Sequence, residues 1–552
     1  MRKADTNRFG STRRTWLKQT SAMAAAWACG QLPNAVSVAT ASPDSPRTIE
    51  WALQPVMQKA AACCLAWLNP QQHYLPTGGY EIAHDTGRWW DAMLRCQAVT
   101  ALPIPEWAEA AMVENLQRLT DNPAGLLTND AIAEQAGGVR QVNPHNFRES
   151  MLAYSALVKW RQHVWSREHG SLLIQTTDSL LAPDGQLDYG RLAQLMQLPL
   201  NPDPSMVQRS PAGTWFDATG TTGRAIEGFV CFHEATASEP ALQLAARLAA
   251  VHRQHVTHPD GKVPPEILAP QNVGHNHSYL GTLRGLLRYG LCSGRTEYVE
   301  SVARTYRNGL FGTNVSESGW TPHDLGKSRF PNEHGDPLGE HGSCADVVQL
   351  ALWLATLNNQ ADLWDDVERI LRARLLPSQI DDPSQPRRHG SWGVYAHPFD
   401  RGTILDVFAA VLSVMTEVQQ AVVTTHSSGA VCVNLHLSID SPLATVIARR
   451  SDEGVTSVKY AKPTGVRVRL PGWSPRDQAR MTVDGQPVSP LWEGTYAVLP
   501  PEACPAGASI ELRYTLPTRT TVETLPVSKQ QYQLSWRGDD VVGCDPEVPL
   551  YR

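Results

Sequence analysis

The chain has 552 residues and a formal charge of −6, with 42% hydrophobic and 18% charged residues. That supply of apolar side chains excludes a wholly disordered chain. The first 41 residues hold six Lys/Arg and one acid, so the remainder carries 42 basic and 53 acidic residues, a balance unsuited to a nucleic-acid backbone.

The first predicted element is an export address. Ser11-Thr12-Arg13-Arg14-Thr15-Trp16-Leu17-Lys18 precedes a weak apolar run, Ala22 to Ala28, and Ala39-Thr40-Ala41 offers a small-x-small cleavage pattern. Residues 1–41 therefore read as a twin-arginine signal, and the mature chain is expected to start near Ser42 in the periplasm or outside the cell. The twin-arginine export machinery is then a partner during secretion. No later run of 18 apolar residues predicts a membrane span. Nine cysteines follow residue 41, with no Cys-x-x-Cys pair, and they read as small buried hydrophobes.

From 42 to 425 the apolar spacing is helical. Trp51, Val56, Ala60, Cys64 and Trp67 mark a first helix, and further helices are predicted over 88–101, 105–119, 146–166, 222–237, 238–254, 277–291, 294–309, 344–358, 360–376 and 402–422. Val347, Leu350, Ala351 and Leu354 show the i, i+3, i+4, i+7 stripe. Breakers such as Asn69-Pro70, Asn122-Pro123 and Pro202-Asp203-Pro204 separate the helices. Paired helices of this number predict an (α/α)6-type barrel, or toroid. From 426 to 520 the period becomes two, as in Val431 to Leu437 and Val466 to Leu470, and Val483-Asp484-Gly485-Gln486 reads as a tight hairpin turn. A C-terminal β-sandwich is expected there, with residues 521–552 as a tail packing on the barrel. The fold class is thus mainly α with a β domain.

Two patches carry a family resemblance. The sandwich core Val466-Arg467-Val468-Arg469-Leu470-Pro471-Gly472-Trp473 with Val483-Asp484-Gly485 resembles glycoside hydrolase family 127. So does the helical stretch Cys344-Ala345-Asp346-Val347-Val348-Gln349 followed by Trp364-Asp365-Asp366, together with Thr222-Gly223-Arg224 and His275-Asn276-His277-Ser278. The ending from Trp536 to Arg552 resembles that family's uncharacterised relatives. The resemblance implies a toroid plus sandwich and an activity on glycosidic bonds. In that family zinc is held by Glu-x-Cys and two later adjacent cysteines, one of them the nucleophile. Here Glu340-His341-Gly342 stands at the first position if Ala345-Asp346 sets the register. A shift by two keeps Cys344 but loses the Glu. Arg401-Gly402-Thr403-Ile404-Leu405 offers no counterpart to the later pair, so the zinc–thiolate mechanism does not carry over.

Glycosidic cleavage then needs two carboxyl groups, one protonating the leaving oxygen and one attacking or activating water. The segment 316–346 is dense in Asp, Glu and His and broken by Gly and Pro, as a site loop between helices would be. Glu340, just ahead of a helix, is the first candidate acid or base. Asp324 is the second, since it precedes Glu340 by 16 residues, the interval the resemblance implies for the acid/base carboxylate. His275 and His277 are further catalytic candidates. No cofactor is expected; a metal at His275/His277 is the less favoured alternative. For an oligo- or polysaccharide substrate, Trp89, Trp90 and Trp320 could stack on sugar rings, with Asp91, Glu149 and His341 meeting hydroxyls, and Arg224 and Arg284 clamping an acidic group. The leading expectation is an exported glycosidase. A polysaccharide lyase on a similar toroid and a non-catalytic glycan-binding protein are the alternatives.

Overall fold

The computed structural model describes residues 48–79, 81–135, 139–200, 208–209, 215–216, 222–269, 273–357, 360–393, 403–460 and 464–551. The expected export signal, residues 1–41, lies outside them, as do Arg401 and Gly402.

The helical body is built from hairpins. The principal helices are α1 (Leu53–Ala66), α2 (Ile82–Thr100), α3 (Glu106–Leu119), α4 (Asn146–Arg161), α5 (Val164–Ser179) and α6 (Ala225–Thr236). They continue with α7 (Glu239–Val256), α8 (Asn276–Ser293), α9 (Thr296–Thr305), α10 (His341–Ala355), α11 (Trp364–Ile370) and α12 (Leu405–Val422). Each even-numbered helix packs on the next, and α12 closes on α2, so six helices form an inner ring with the odd-numbered helices outside. This is the (α/α)6 toroid.

Inner helices must be apolar on the sides that meet neighbours, yet several carry charges along one stripe. In α2 that stripe is His84, Arg88, Asp91 and Arg95, at helical spacing. Close approach of inner helices is secured by small residues. A Cβ on Gly87 of α2 would lie 2.5 Å from the backbone oxygen of Glu149 in α4, so only glycine fits at this crossing. The most apolar inner helix, α12, is also long enough to cross a bilayer, but 83% of its apolar window is buried in the ring.

The chain then turns to strands. One antiparallel sheet runs in the order Ile49–Glu50, Thr445–Arg450, Glu453–Lys459, Ser509–Thr515, Arg480–Val483, Gln486–Val488. Its outermost strand comes from the start of the helical body, which ties the two regions together. The second sheet orders Leu491–Glu493, Tyr496–Leu499, Val466–Arg469, Val431–Val433 and Val423–Thr425. The Asp-Gly turn forms as predicted: Asp484 and Gly485 take φ of 49° and 78° and join strands with Val483 opposite Gln486. The last strands, Thr518–Thr524, Gln531–Arg537 and Asp540–Asp545, make a third sheet, and its Leu534 and Trp536 pack with Ala373 beyond α11.

Candidate active site

The inner helices run in one direction, so their first turns meet at one end of the ring. There the sequence places His84 and Arg88 (α2), Arg148 and Glu149 (α4), Arg224 and Glu227 (α6), His277 (α8), Glu340 and Asp346 (α10) and Asp406 (α12). All are buried except Asp406, whose neighbourhood is the most open.

One hydrogen-bonded chain crosses the ring. Glu149 Oε1 accepts from Arg148 Nη2 at 2.7 Å and Arg224 Nη2 at 3.1 Å, and forms an ion pair with Arg88 Nε at 3.0 Å. His277 stands between Arg88, whose Nη2 is 2.6 Å from Nε2, and Asp346, whose Oδ2 is 2.5 Å from Nδ1. Arg284 continues the chain, bonding Asp346 with one nitrogen and Glu227 Oε1 with the other at 2.5 Å. Pairing does not fully offset burial here: desolvation raises the Glu149 carboxyl to about 8 against the pull of Arg88, and that of Asp346 to about 7 against the pull of Arg284.

Beside this chain stands a second set. A short antiparallel pair, Val273–His275 with Asp324–Gly326, puts His275 opposite Asp324. The backbone of Thr321 to His323 pairs with Leu338 to Glu340, which brings Glu340 to the same place. His275 Nε2 lies 3.4 Å from Glu340 Oε2, and the Glu340 oxygen also accepts from Ser343 Oγ at 2.7 Å. The His275 and His323 rings are 4.7 Å apart, and His145 stands 6.2 Å from His275 on the other side. Burial, with the neighbouring cationic and imidazole groups, holds His84, His145, His275 and His277 well below the usual histidine range, so they are neutral at pH 7.

Asp406 completes the set and was not among the sequence candidates. Its Oδ2 is 3.6 Å from His84 Nε2, and its Oδ1 has no hydrogen-bond partner. Burial raises its carboxyl to about 7 against the pull of Arg88, with Glu340 and Glu149 adding to the rise. Its side chain is 12% exposed, against 2% for Glu340 and 0% for Glu149 and Asp324, so it is the acid a ligand reaches first. Glu340 is close by: its charge acts on Asp406, and a Cβ added at Gly342 would lie 3.4 Å from Glu340 Oε1 and 3.6 Å from Cγ1 of Val407, the neighbour of Asp406.

Several sequence expectations are corrected. Trp89 and Trp90 are fully buried, edge to face at 5.1 Å, and the Trp89 indole donates to Cys64 O in α1. A step of 100° per residue turns both away from the axis that Arg88 faces, so neither offers a ring to a sugar. Asp91 does face the axis, but it is bonded to Arg95 at 2.7 Å and Ser413 at 2.9 Å. Arg224 and Arg284 clamp protein carboxylates, Glu149 and Asp346 with Glu227, in place of a ligand's. Asp324 is buried, which would raise it, but the hydrogen bond with His323 and the Arg329 guanidinium 2.8 Å away outweigh burial and bring it to about 2. A group so firmly ionised cannot serve as a proton donor near neutrality. Trp320 is half-buried with no partner for its indole N–H. His341 bonds Gly393 O through Nδ1 at 2.7 Å and leaves Nε2 without a partner.

Thiolate zinc does not fit. The Cys344 thiol is buried and pushed up to about 12, mainly by desolvation, and no disulfide joins any of the nine described cysteines. Among the described residues, the three donor atoms of metal type that come within 4.8 Å of one another belong to His275, His323 and Glu340.

No family model and no curated protein sequence matches the chain. Its fold is similar to that of a GH127 β-arabinofuranosidase, with TM-score 0.58 and 13% identity over 89% of this chain and 81% of that one. It is likewise similar to the GH127 β-L-arabinofuranosidase of Geobacillus stearothermophilus T6, with TM-score 0.53 and 14% identity over 88% and 80%. A further glycoside hydrolase matches with TM-score 0.53 and 13% identity over 83% of this chain and 77% of that one. At these identities the likeness is one of fold, and in fold the chain resembles GH127.

Proposed function

We propose that the chain is an exported glycoside hydrolase that cleaves an oligo- or polysaccharide at the end of the ring where the inner helices begin. The observation that carries this reading is the nearness of the partly exposed Asp406 to the buried Glu340, whose charge adds to the rise of the Asp406 carboxyl, at the polar end of a toroid shared with glycoside hydrolases. A carboxyl group titrating near 7 is protonated often enough at neutral pH to give its proton to a leaving glycosidic oxygen. Glu340, with His275 at 3.4 Å, supplies the opposite side, where water is activated or the anomeric carbon attacked. The Glu149–arginine–His277–Asp346 chain holds the wall behind them rigid.

The first substrates to try are β-L-arabinofuranosides, the sugars named for two of the fold neighbours, followed by plant and algal oligosaccharides. Release of reducing sugar by the mature chain, abolished in Asp406→Asn and Glu340→Gln, is the expected result. A product absorbing in the ultraviolet would instead identify a lyase. Sugar binding without turnover, unchanged in both variants, would identify a binding protein. Export is tested by replacing Arg13 and Arg14 with lysine, which should retain an unprocessed precursor inside the cell.

A further inference from the structure

The three donors His275, His323 and Glu340 come from three separate places, a short strand, a hairpin and the residue just before α10, yet their donor atoms lie within 4.8 Å of one another. We infer that these residues bind a divalent cation of the zinc class, through two imidazoles and a carboxylate, in place of the thiolates that the fold neighbours' family would use. The inference deepens the hydrolase reading, because Glu340 belongs to both.

The distances favour an ion over a direct bond. An imidazole that donates to a carboxylate closes to roughly 2.7–2.9 Å. His275 Nε2 and Glu340 Oε2 stop at 3.4 Å, and Nε2 has no hydrogen-bond partner. Zinc bonds of about 2.0–2.2 Å in tetrahedral geometry set neighbouring ligand atoms about 3.4 Å apart. The observed gap is the one an ion would span, and the His323 donor lies within 4.8 Å of both.

The surroundings are those of metal-bound histidines. His275 Nδ1 lies 3.1 Å from Ser278 Oγ, and His323 Nδ1 lies 3.0 Å from Asp324 Oδ1. Such contacts orient a ring and direct its other nitrogen to an ion. With Nδ1 of His275 protonated toward Ser278, Nε2 presents a lone pair to a carboxylate oxygen, an arrangement that a cation between them relieves. The same Asp324 Oδ1 accepts from Arg329 Nε at 3.0 Å, which fixes it against the His323 ring. Two imidazoles with one carboxylate suit zinc, and three protein ligands leave a coordination position open. A bound ion would supply Lewis acidity next to Asp406.

The test uses the mature chain, free of affinity tag and purified without chelator. Mass-spectrometric metal analysis should find one zinc per chain, and cobalt loading should give visible d–d absorption of a tetrahedral site. His323→Ala and His275→Ala should abolish both signals while circular dichroism stays unchanged. Ser278→Ala, which removes only an orienting contact, should weaken cobalt binding roughly 10–100-fold. A folded chain with no stoichiometric metal and no cobalt band overturns the inference. If that metal-free chain still releases reducing sugar and is indifferent to chelator, the cation site fails while the hydrolase reading stands. One bound cobalt that the two histidine variants lose, without hydrolysis of any glycan, upholds the site and tells against the hydrolase.

Discussion

The molecule has two ionic clusters, one fully buried and one that opens at Asp406, and they behave in opposite ways. At the junction of barrel, sandwich and tail, Glu368 of α11 is surrounded by donors. Its Oε1 accepts from Arg372 at 2.9 Å and Arg450 at 2.7 Å, and its Oε2 accepts from Arg469 and from the His436 backbone N–H. Arg450 and Arg372 also hold Asp540, at 3.0 and 3.2 Å. Burial alone would raise Glu368, but His436 and the three guanidiniums hold it well below the usual carboxylate range. At the open end of the ring Asp406 Oδ1 lacks a hydrogen-bond partner, and burial raises both Asp406, to about 7, and Asp85. The two clusters therefore shift their acids in opposite directions, according to whether the surrounding cations outweigh the desolvation. The junction fixes how three segments pack. The ring end keeps a proton that it can lose.

The largest expected effect comes from cutting the functional cluster. Asp406→Asn removes the transferable proton and keeps the shape, so kcat/KM should fall roughly 10²–10⁴-fold, with the unfolding midpoint unchanged or raised. Loss of folding instead of turnover would put Asp406 with Glu368. The mirror experiment is Glu368→Gln. It leaves three arginines without their shared carboxylate and should cost roughly 3–5 kcal/mol of stability in urea unfolding. Residual folded enzyme should keep its KM.

pH should separate the clusters next. The folded-state pKa of Asp406 is above its model-compound value of 3.8, so the native chain binds more protons than the unfolded one between about 3.8 and about 7. Stability should fall as pH rises through that window, and Asp406→Asn should flatten the fall. As a proton donor, Asp406 should also make kcat decline above about 7. Glu368 has the opposite sign, because its contribution is present above the unfolded pKa and fades only in strong acid. A kcat profile flat across neutrality would remove Asp406 from the acid role.

Much of this was legible in the chain. The period-two stretches and the Asp484-Gly485 turn announced the sandwich, and the polar segment 316–346 did supply Glu340, Asp324 and His323. Other parts were hidden for physical reasons. The helix expected from 88 starts at Ile82, and Glu81 makes no side-chain cap to signal it, so His84 and Asp85 escaped notice. α12 also begins without a side-chain cap, and Asp406 looked like an ordinary first-turn acid. Arg224 and Arg284 read as clamps for an acidic ligand because their protein partners, Glu149 and Glu227, lie 75 and 57 residues away. Only ring closure brings such groups together.

The smallest effect tests the aromatic pair. Trp89 and Trp90 were expected to stack on sugar, and the structure places them between α2 and its outer neighbour α1. Trp89→Phe keeps an aromatic ring but loses the bond to Cys64 O and part of the buried volume. A stability loss of roughly 1–3 kcal/mol is expected, with KM for any cleaved glycan within about twofold of the parent. The contrast with Asp406→Asn is the informative part, because both residues lie in inner helices of the ring. If Trp89→Phe raises KM tenfold or more and leaves stability untouched, the ring's ligand-facing surface extends to the back of α2, and the division between paired structural groups and under-partnered functional ones must be redrawn.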